Sequence, residues 1–173
     1  MKKKWVVGTR GSKLALRQTR IVIDALEKTH HGHEFTVRTI KTTGDTVWNT
    51  PLHLIGGKGL FVKEIEEELS KGGIDMAVHS MKDVPAELEK GLCIGAVLTR
   101  EDPRDAFVSS KHSGLGSLAE GCRVGTGSMR RKAQLLRYRK DINVVPLRGN
   151  VDTRIKKIEK ENLDGIILAF AGL

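Results

Sequence analysis

Asp83 is the residue of this sequence best placed to handle charge. It lies in Val78-His79-Ser80-Met81-Lys82-Asp83-Val84-Pro85, directly after an apolar run, 74–78, that reads as a buried strand. Ligands of open α/β sheets bind at the carboxyl ends of strands. A carboxylate there can steady a developing positive charge or pass a proton. Lys82 beside it adds a cation; the ordinary alternative for the pair is a turn cap or a local salt bridge. His79 reads as a structural residue at the strand end.

Three further stretches share one chemical character: Thr9-Arg10-Gly11-Ser12, Thr126-Gly127-Ser128-Met129-Arg130-Arg131 and Arg148-Gly149-Asn150-Val151-Asp152-Thr153-Arg154. Each puts a glycine, a polar capping side chain and at least one arginine where a strand gives way to a helix. Free backbone N–H groups and the helix dipole favour an anion at such a point. Glycine admits the anion to the backbone, and arginine offers a planar fork matched to carboxylate or phosphate. Capping alone would account for one junction. Three with arginine imply a ligand bearing several anionic groups.

Strand and helix signals alternate around these residues. Strands are expected at 4–8, 34–40, 74–78 and 92–98, then at 106–108, 123–125, 143–147 and 164–169. Helices are expected from the Ser12 cap to about 30, with Leu14, Leu16, Ile21, Ile23 and Leu26 largely on one stripe, and at 60–70, 128–139 and 151–161. Residues 42–59 show neither period and read as a long loop, with Gly56-Gly57-Lys58-Gly59 as its hinge and Lys58 either solvated or reaching a ligand anion. The charged turn Arg100-Glu101-Asp102-Pro103-Arg104-Asp105 is a candidate boundary. Strands separated by helices imply mostly parallel sheets, and two such runs imply two α/β lobes, 1–99 and 100–173. A short echo, Val7-Gly8-Thr9 against Val124-Gly125-Thr126, marks the same junction in both and suggests lobes of similar build with a ligand cleft between them.

Composition narrows the function classes. A net charge of +9 calls for an anionic partner, but only 4% of residues are aromatic, which argues against stacking of nucleobases. No apolar run approaches the roughly 20 residues of a membrane helix, and Trp5-Val6-Val7 is too short for a signal peptide. Cys93 and Cys122 form no CxxC pair, so reduced cysteines in a cytoplasmic protein are expected. The histidines make no HExxH or paired Cys/His pattern, and no metal is expected. Gly125-Thr126-Gly127-Ser128-Met129-Arg130 departs from the dinucleotide fingerprint at its last position, with no acidic residue at the ribose distance. Gly56-Gly57-Lys58-Gly59-Leu60 lacks the P-loop spacing and hydroxyl.

Taken in order, Gly8 to Leu16, Gly56 to Phe61, His79 to Pro85, Arg100 to Ala106, Gly125 to Arg131, Leu147 to Val151, Asp164 to Ala169 and Ala171 to Leu173 resemble the porphobilinogen deaminase (hydroxymethylbilane synthase) family over nearly the whole chain. That resemblance implies a transferase of tetrapyrrole and haem biosynthesis. It joins four porphobilinogen molecules head to tail, releases ammonia and yields linear hydroxymethylbilane. It also implies a periplasmic-binding-protein-like pair of lobes and a dipyrromethane cofactor bound covalently to a cysteine. By motif position Asp83 resembles the catalytic carboxylate. Arg10, Ser12, Lys82, Thr126, Ser128, Arg130, Arg131, Arg148 and Arg154 resemble the set that binds acetate and propionate groups, and Lys58 sits on the loop expected to close over them.

Departures from the family are Leu54, at a position often lysine in bacterial members, and Gly127, where serine is common. Family members continue beyond Leu173 into a third domain that carries the cofactor cysteine; neither Cys93 nor Cys122 stands in its motif. The 173 residues alone are therefore expected to be an incomplete and inactive N-terminal portion. The complete enzyme is expected to be a cytoplasmic monomer with no nucleic-acid or membrane partner. Two other classes stand beside this one: a non-catalytic two-lobed binding protein for small polycarboxylates, and a nucleic-acid-binding domain suggested by charge alone.

Overall fold

Parallel β-sheets with helices packed against them make up the protein in a computed structural model, which describes residues 2–46 and 59–173. The chain divides into two units, Met1–Leu98 and Thr99–Leu173. In the first, β1 (Lys4–Thr9) is followed by α1 (Lys13–Thr29), β2 (Glu34–Thr39), a single helical turn α2 (Thr43–Thr46), α3 (Lys63–Ser70) and β3 (Met76–Ala77). The sheet order is β2-β1-β3, and both pairings are parallel. Val7 and Thr9 on the central strand are fully buried, as are Ile65 of α3 and, within 2% of full burial, Ile23 of α1 and Ile74. Burying each such aliphatic side chain contributes on the order of 2 kcal/mol.

The second unit runs β4 (Asp105–Val108), β5 (Arg123–Thr126), α4 (Met129–Tyr138), β6 (Asn143–Pro146), α5 (Val151–Lys160) and β7 (Gly165–Ala169). Its order is β4-β7-β5-β6, with β4 antiparallel and the rest parallel. Two apolar clusters lie on the two faces of this sheet. One joins Val124, Leu135 of α4 and Ile167; the other joins Leu147, Ile158 of α5, Ile166 and Leu168. Successive residues of β7 alternate between the clusters, the period-two signature of a strand buried on both faces. The parallel core β6-β5-β7 repeats the order β2-β1-β3, so the echo of Val7-Gly8-Thr9 in Val124-Gly125-Thr126 marks the central strand of each unit.

Several expectations change. Residues 92–98 form no strand, and Ile94, Val97 and Leu98 are exposed at 52%, 66% and 44%. Their composition suits a sheet, but a strand exists only where its N–H and C=O groups find a neighbouring strand, and none of the described strands pairs with this segment. The strand expected over 74–78 pairs only briefly. Bonds from Asp75 N–H to Val6 C=O and from Val78 N–H to Gly8 C=O extend β3 by one residue at each end before Met81–Asp83 winds into a 3-10 turn. The helix expected from residue 60 begins at Lys63, with Val62 rather than Phe61 buried beneath it. Along α1, the stripe narrows to Thr19 and Ile23, while Leu16 and Ile21 are exposed. Thr43–Thr46 is helical inside the expected loop. Lys58, Leu54 and the hinge glycines 56 and 57 lie outside the described residues.

Candidate active site

In the first unit the chemistry gathers at the carboxyl ends of β1 and β3. Arg10 follows β1 directly. Its guanidinium forks onto Asp45 of α2, with Nη2 2.5 Å from Oδ1, and lies 4.2 Å from the centre of the Phe61 ring. Asp45 is held in place in turn by the Thr42 hydroxyl, 2.8 Å away. Burial pushes against its charge, but the bonds from Arg10 and Thr42 outweigh burial and lower its pKa. Ser12 caps α1, its hydroxyl accepting from the Ala15 N–H at 3.2 Å, so that side chain serves the helix. Thr9 is fully buried and its hydroxyl has no partner among the described residues.

Past β3, the 3-10 turn presents Lys82 and Asp83. The turn closes through Asp83 N–H to Ser80 C=O at 2.9 Å, and the Ser80 hydroxyl donates to Gln18 of α1 at 2.8 Å, which ties the turn to the helix. Lys82, Asp83, Pro85, Glu87 and Gly59 line a shallow cavity of about 440 Å³. Burial lowers the His79 pKa, Asp83 pulls it back up and Arg10 lowers it again. Arg10, His79 and Asp83 therefore share one electrostatic neighbourhood, formed because the strands bearing them are adjacent and parallel.

In the second unit the two remaining junctions come together at the carboxyl ends of β5 and β6. Ser128 caps α4, with its hydroxyl accepting from the Arg131 N–H at 3.4 Å; the Thr126 hydroxyl accepts from the Ser128 N–H at 3.3 Å. Arg131 is largely buried and grips Asp105 of β4, Nε donating to Oδ1 at 2.9 Å. Arg130 is exposed and reaches the same carboxylate only at 3.4 Å. Arg154 of α5 donates to the Gly149 carbonyl at 2.7 Å. Its pKa is lowered by burial first, then by the nearby charges of Arg131 and Arg148. Arg131 and Arg148 thus both disfavour the charge of Arg154, and an anion placed among them would favour it. The local backbone leaves little room for a side chain here. Gly149 has φ +120°, and a Cβ on Gly127 would stand 2.4 Å from the Leu147 carbonyl oxygen.

Sequence reasoning missed Asp45 and Asp105 as partners of the arginines. Asp105 sits in the charged turn read as a boundary, and neither has a spacing that announces its role. It also missed His112, Cys122 and Asp164, whose ligand atoms lie within 4.8 Å of one another although the sequence separates them. Among the described residues, no helix is long and apolar enough to cross a membrane.

Comparison with known proteins supplies the affiliation. A family model described as "Porphobilinogen deaminase, dipyromethane cofactor binding domain" matches residues 5–173. Porphobilinogen deaminase of Listeria welshimeri is 53% identical over all of this chain and 56% of its own length. That of Geobacillus kaustophilus is 56% identical over 97% of the chain and 54% of its own length. This chain thus spans little more than half the length of these curated relatives. Among solved structures, a probable amino-acid ABC transporter extracellular-binding protein from Bacillus subtilis matches 98% of the chain and 71% of its own, with a TM-score of 0.50 at 13% identity; this likeness concerns the fold alone. The α/β fold with mostly parallel sheets, the ordered motifs and the match over residues 5–173 agree, and the chain belongs to the porphobilinogen deaminase family.

Proposed function

We propose that this chain carries the catalytic carboxylate and the carboxylate-binding arginines of an enzyme that joins four porphobilinogen molecules into linear hydroxymethylbilane with loss of ammonia. Asp83 takes the catalytic role. It lies just past the carboxyl end of β3, lines a cavity and is within electrostatic reach of His79. Its negative charge stabilises the cationic pyrrole and azafulvene species of such a condensation and can relay the proton lost from the ring. Lys82 and Arg10 hold the acidic side groups of the pyrroles near it, and Ser12 fixes the helix end beside Arg10.

The observation that carries this reading is the Arg131, Arg148 and Arg154 cluster at the starts of α4 and α5. A dipyrromethane bearing acetate and propionate groups carries charge opposite to that of this cluster, so the donor set fits it. When bound, that group supplies the primer on which the pyrrole chain grows. Thr126 and Ser128 shape the α4 turn, Arg131 and Arg154 offer forks for carboxylates, and Arg130 adds a more exposed cation. Lys58 belongs to the same set by motif. This reading carries with it a small-molecule substrate, a monomer and a cytoplasmic setting, and it makes 1–99 and 100–173 the two working lobes.

Asp83→Asn, assayed in the complete enzyme by ammonia release from porphobilinogen, is expected to stop elongation while far-UV circular dichroism stays unchanged. Normal turnover by that variant would sink the role of Asp83. Undiminished binding of porphobilinogen after Arg131 and Arg154 are both replaced by Gln would sink the role of the cluster.

A further inference from the structure

We propose that His112, Cys122 and Asp164 form a binding site for one zinc-class divalent metal ion at the amino ends of the second unit's inner strands, apart from the arginine cluster. Cys122 immediately precedes β5 and Asp164 immediately precedes β7, so both stand at the amino ends of neighbouring parallel strands, opposite the end where β5 leads into its arginine junction. A strand the length of β5 spans about 13 Å. The imidazole of His112 comes from the loop after β4. Its Nε2 lies 3.7 Å from Asp164 Oδ1, and the three ligand atoms lie within 4.8 Å of one another. Tetrahedral zinc with bonds of about 2.0–2.3 Å keeps its ligand atoms about 3.3–3.8 Å apart, so a small inward movement completes the set.

The site is braced from behind. Asp164 Oδ2 accepts the Arg123 N–H at 2.8 Å, which fixes the carboxylate. The Ser109 hydroxyl donates to the Asp164 carbonyl at 2.6 Å and accepts from the N–H groups of Lys111 and His112, both at 3.1 Å. One serine therefore ties the loop bearing His112 to the residue that supplies the carboxylate. Such outer contacts orient metal ligands. All three ligands are partly buried.

The first unit provides an internal control. Asp75 holds the same place there, its Oδ2 accepting the Val6 N–H at 2.8 Å, and its other oxygen meets the ammonium of Lys2. Asp164 meets an imidazole and a thiol instead of an ammonium. The Cys122 thiol lies beside the Asp164 carboxylate and helps to keep it charged. On binding, Cys122 becomes a thiolate and releases its proton to solvent, His112 coordinates as neutral imidazole, and water fills the fourth position; nothing is oxidised or reduced. A thiolate with an imidazole selects zinc over magnesium or calcium, which demand oxygen ligands. Lys111, 3.4 Å from Asn162 Oδ1, adds a nearby positive charge that opposes the ion and limits its affinity.

The test uses the untagged full chain, stripped with chelator under reducing conditions, and titrated with Zn²⁺ against a chromophoric chelator. Co²⁺ is used in parallel as a spectroscopic stand-in. One equivalent of zinc is expected, with a thiolate-to-cobalt charge-transfer band. Affinity should fall at least about tenfold in Cys122→Ser and in His112→Ala, and remain unchanged in His31→Ala. Circular dichroism of each variant separates lost ligands from lost fold. Absence of stoichiometric binding would overturn the proposal. So would binding that survives Cys122→Ser combined with His112→Ala, or cobalt bound without the sulfur band.

Discussion

Asp75 and Asp164 are the same residue of two repeated units. Each precedes the strand that pairs with the central one, and each carboxylate accepts a backbone N–H of that central strand at 2.8 Å, Val6 for Asp75 and Arg123 for Asp164. The registers coincide: Val7 pairs with Met76 and Gly8 with Ala77, as Val124 pairs with Gly165 and Gly125 with Ile166.

Both carboxylates should matter to acid stability. The bond from Lys2 and then that from the Val6 N–H lower the pKa of Asp75. The Arg123 N–H is the main cause for Asp164. A lowered carboxylate contributes stability fully above its unfolded value, 3.8, and loses it as pH falls through the folded value. Asp75→Asn is expected to cost about 1–2 kcal/mol at pH 7, read from urea unfolding, with the gap to the parent closing as pH drops below about 4. A gap independent of pH would mean that the charge plays no part.

His79 should add a sensitivity to acid of the same sign, at milder pH. Its pKa lies below 6.5 because burial disfavours the imidazolium more than Asp83 favours it. The unfolded chain then binds more protons, so stability is complete above 6.5 and falls as pH drops from there toward the folded value. His79→Gln should flatten that part of the profile. A stability curve of the parent already flat between pH 7 and 5 would contradict this.

Asp105 competes with any anionic ligand for Arg131. Asp105→Asn removes that carboxylate charge and is expected to tighten binding of a small polycarboxylate several-fold, measured by calorimetry. The fold should lose about 1 kcal/mol, because one side of a partly buried ion pair is gone. Weaker anion binding would instead identify Asp105 as the residue that orients Arg131 for its ligand.

Arg154 carries the reverse trade. Burial and two neighbouring guanidinium groups disfavour its charge, so Arg154→Gln is expected to leave thermal stability unchanged or raised while anion affinity falls by about tenfold or more. Thermal shifts with added porphobilinogen should be large in the parent and small in the variant. Equal shifts in both would remove Arg154 from the binding set.

Most helices and strands were legible because their signals are local. Ser12 and Ser128 cap the helices their positions announce, and Val7-Gly8-Thr9 and Val124-Gly125-Thr126 mark central strands. The candidate site was legible only as motifs: Asp83 after a strand, and arginines at junctions. Partnership was not. Nothing in the spacing of Asp45 and Arg10, or of Asp105 and Arg131, says that the carboxylate of one occupies the fork of the other. Residues 92–98 show the same limit from the other side. Their composition is that of a strand, but hydrogen bonding to a neighbour is a property of the fold.

By itself the sequence determined the family, the alternation of strands and helices, and the kinds of groups at each junction, since periodicity, caps and motifs depend on residues a few positions apart. The tertiary structure alone decided which of those groups meet. Parallel pairing of β1 with β3 puts His79 near Arg10 and Asp83. Pairing of β4 with β7 and of β7 with β5 brings Asp105 to Arg131, and Asp164 to Cys122 and His112. Contacts between residues far apart in sequence depend on closing long loops around a shared core, and no local pattern encodes that closure.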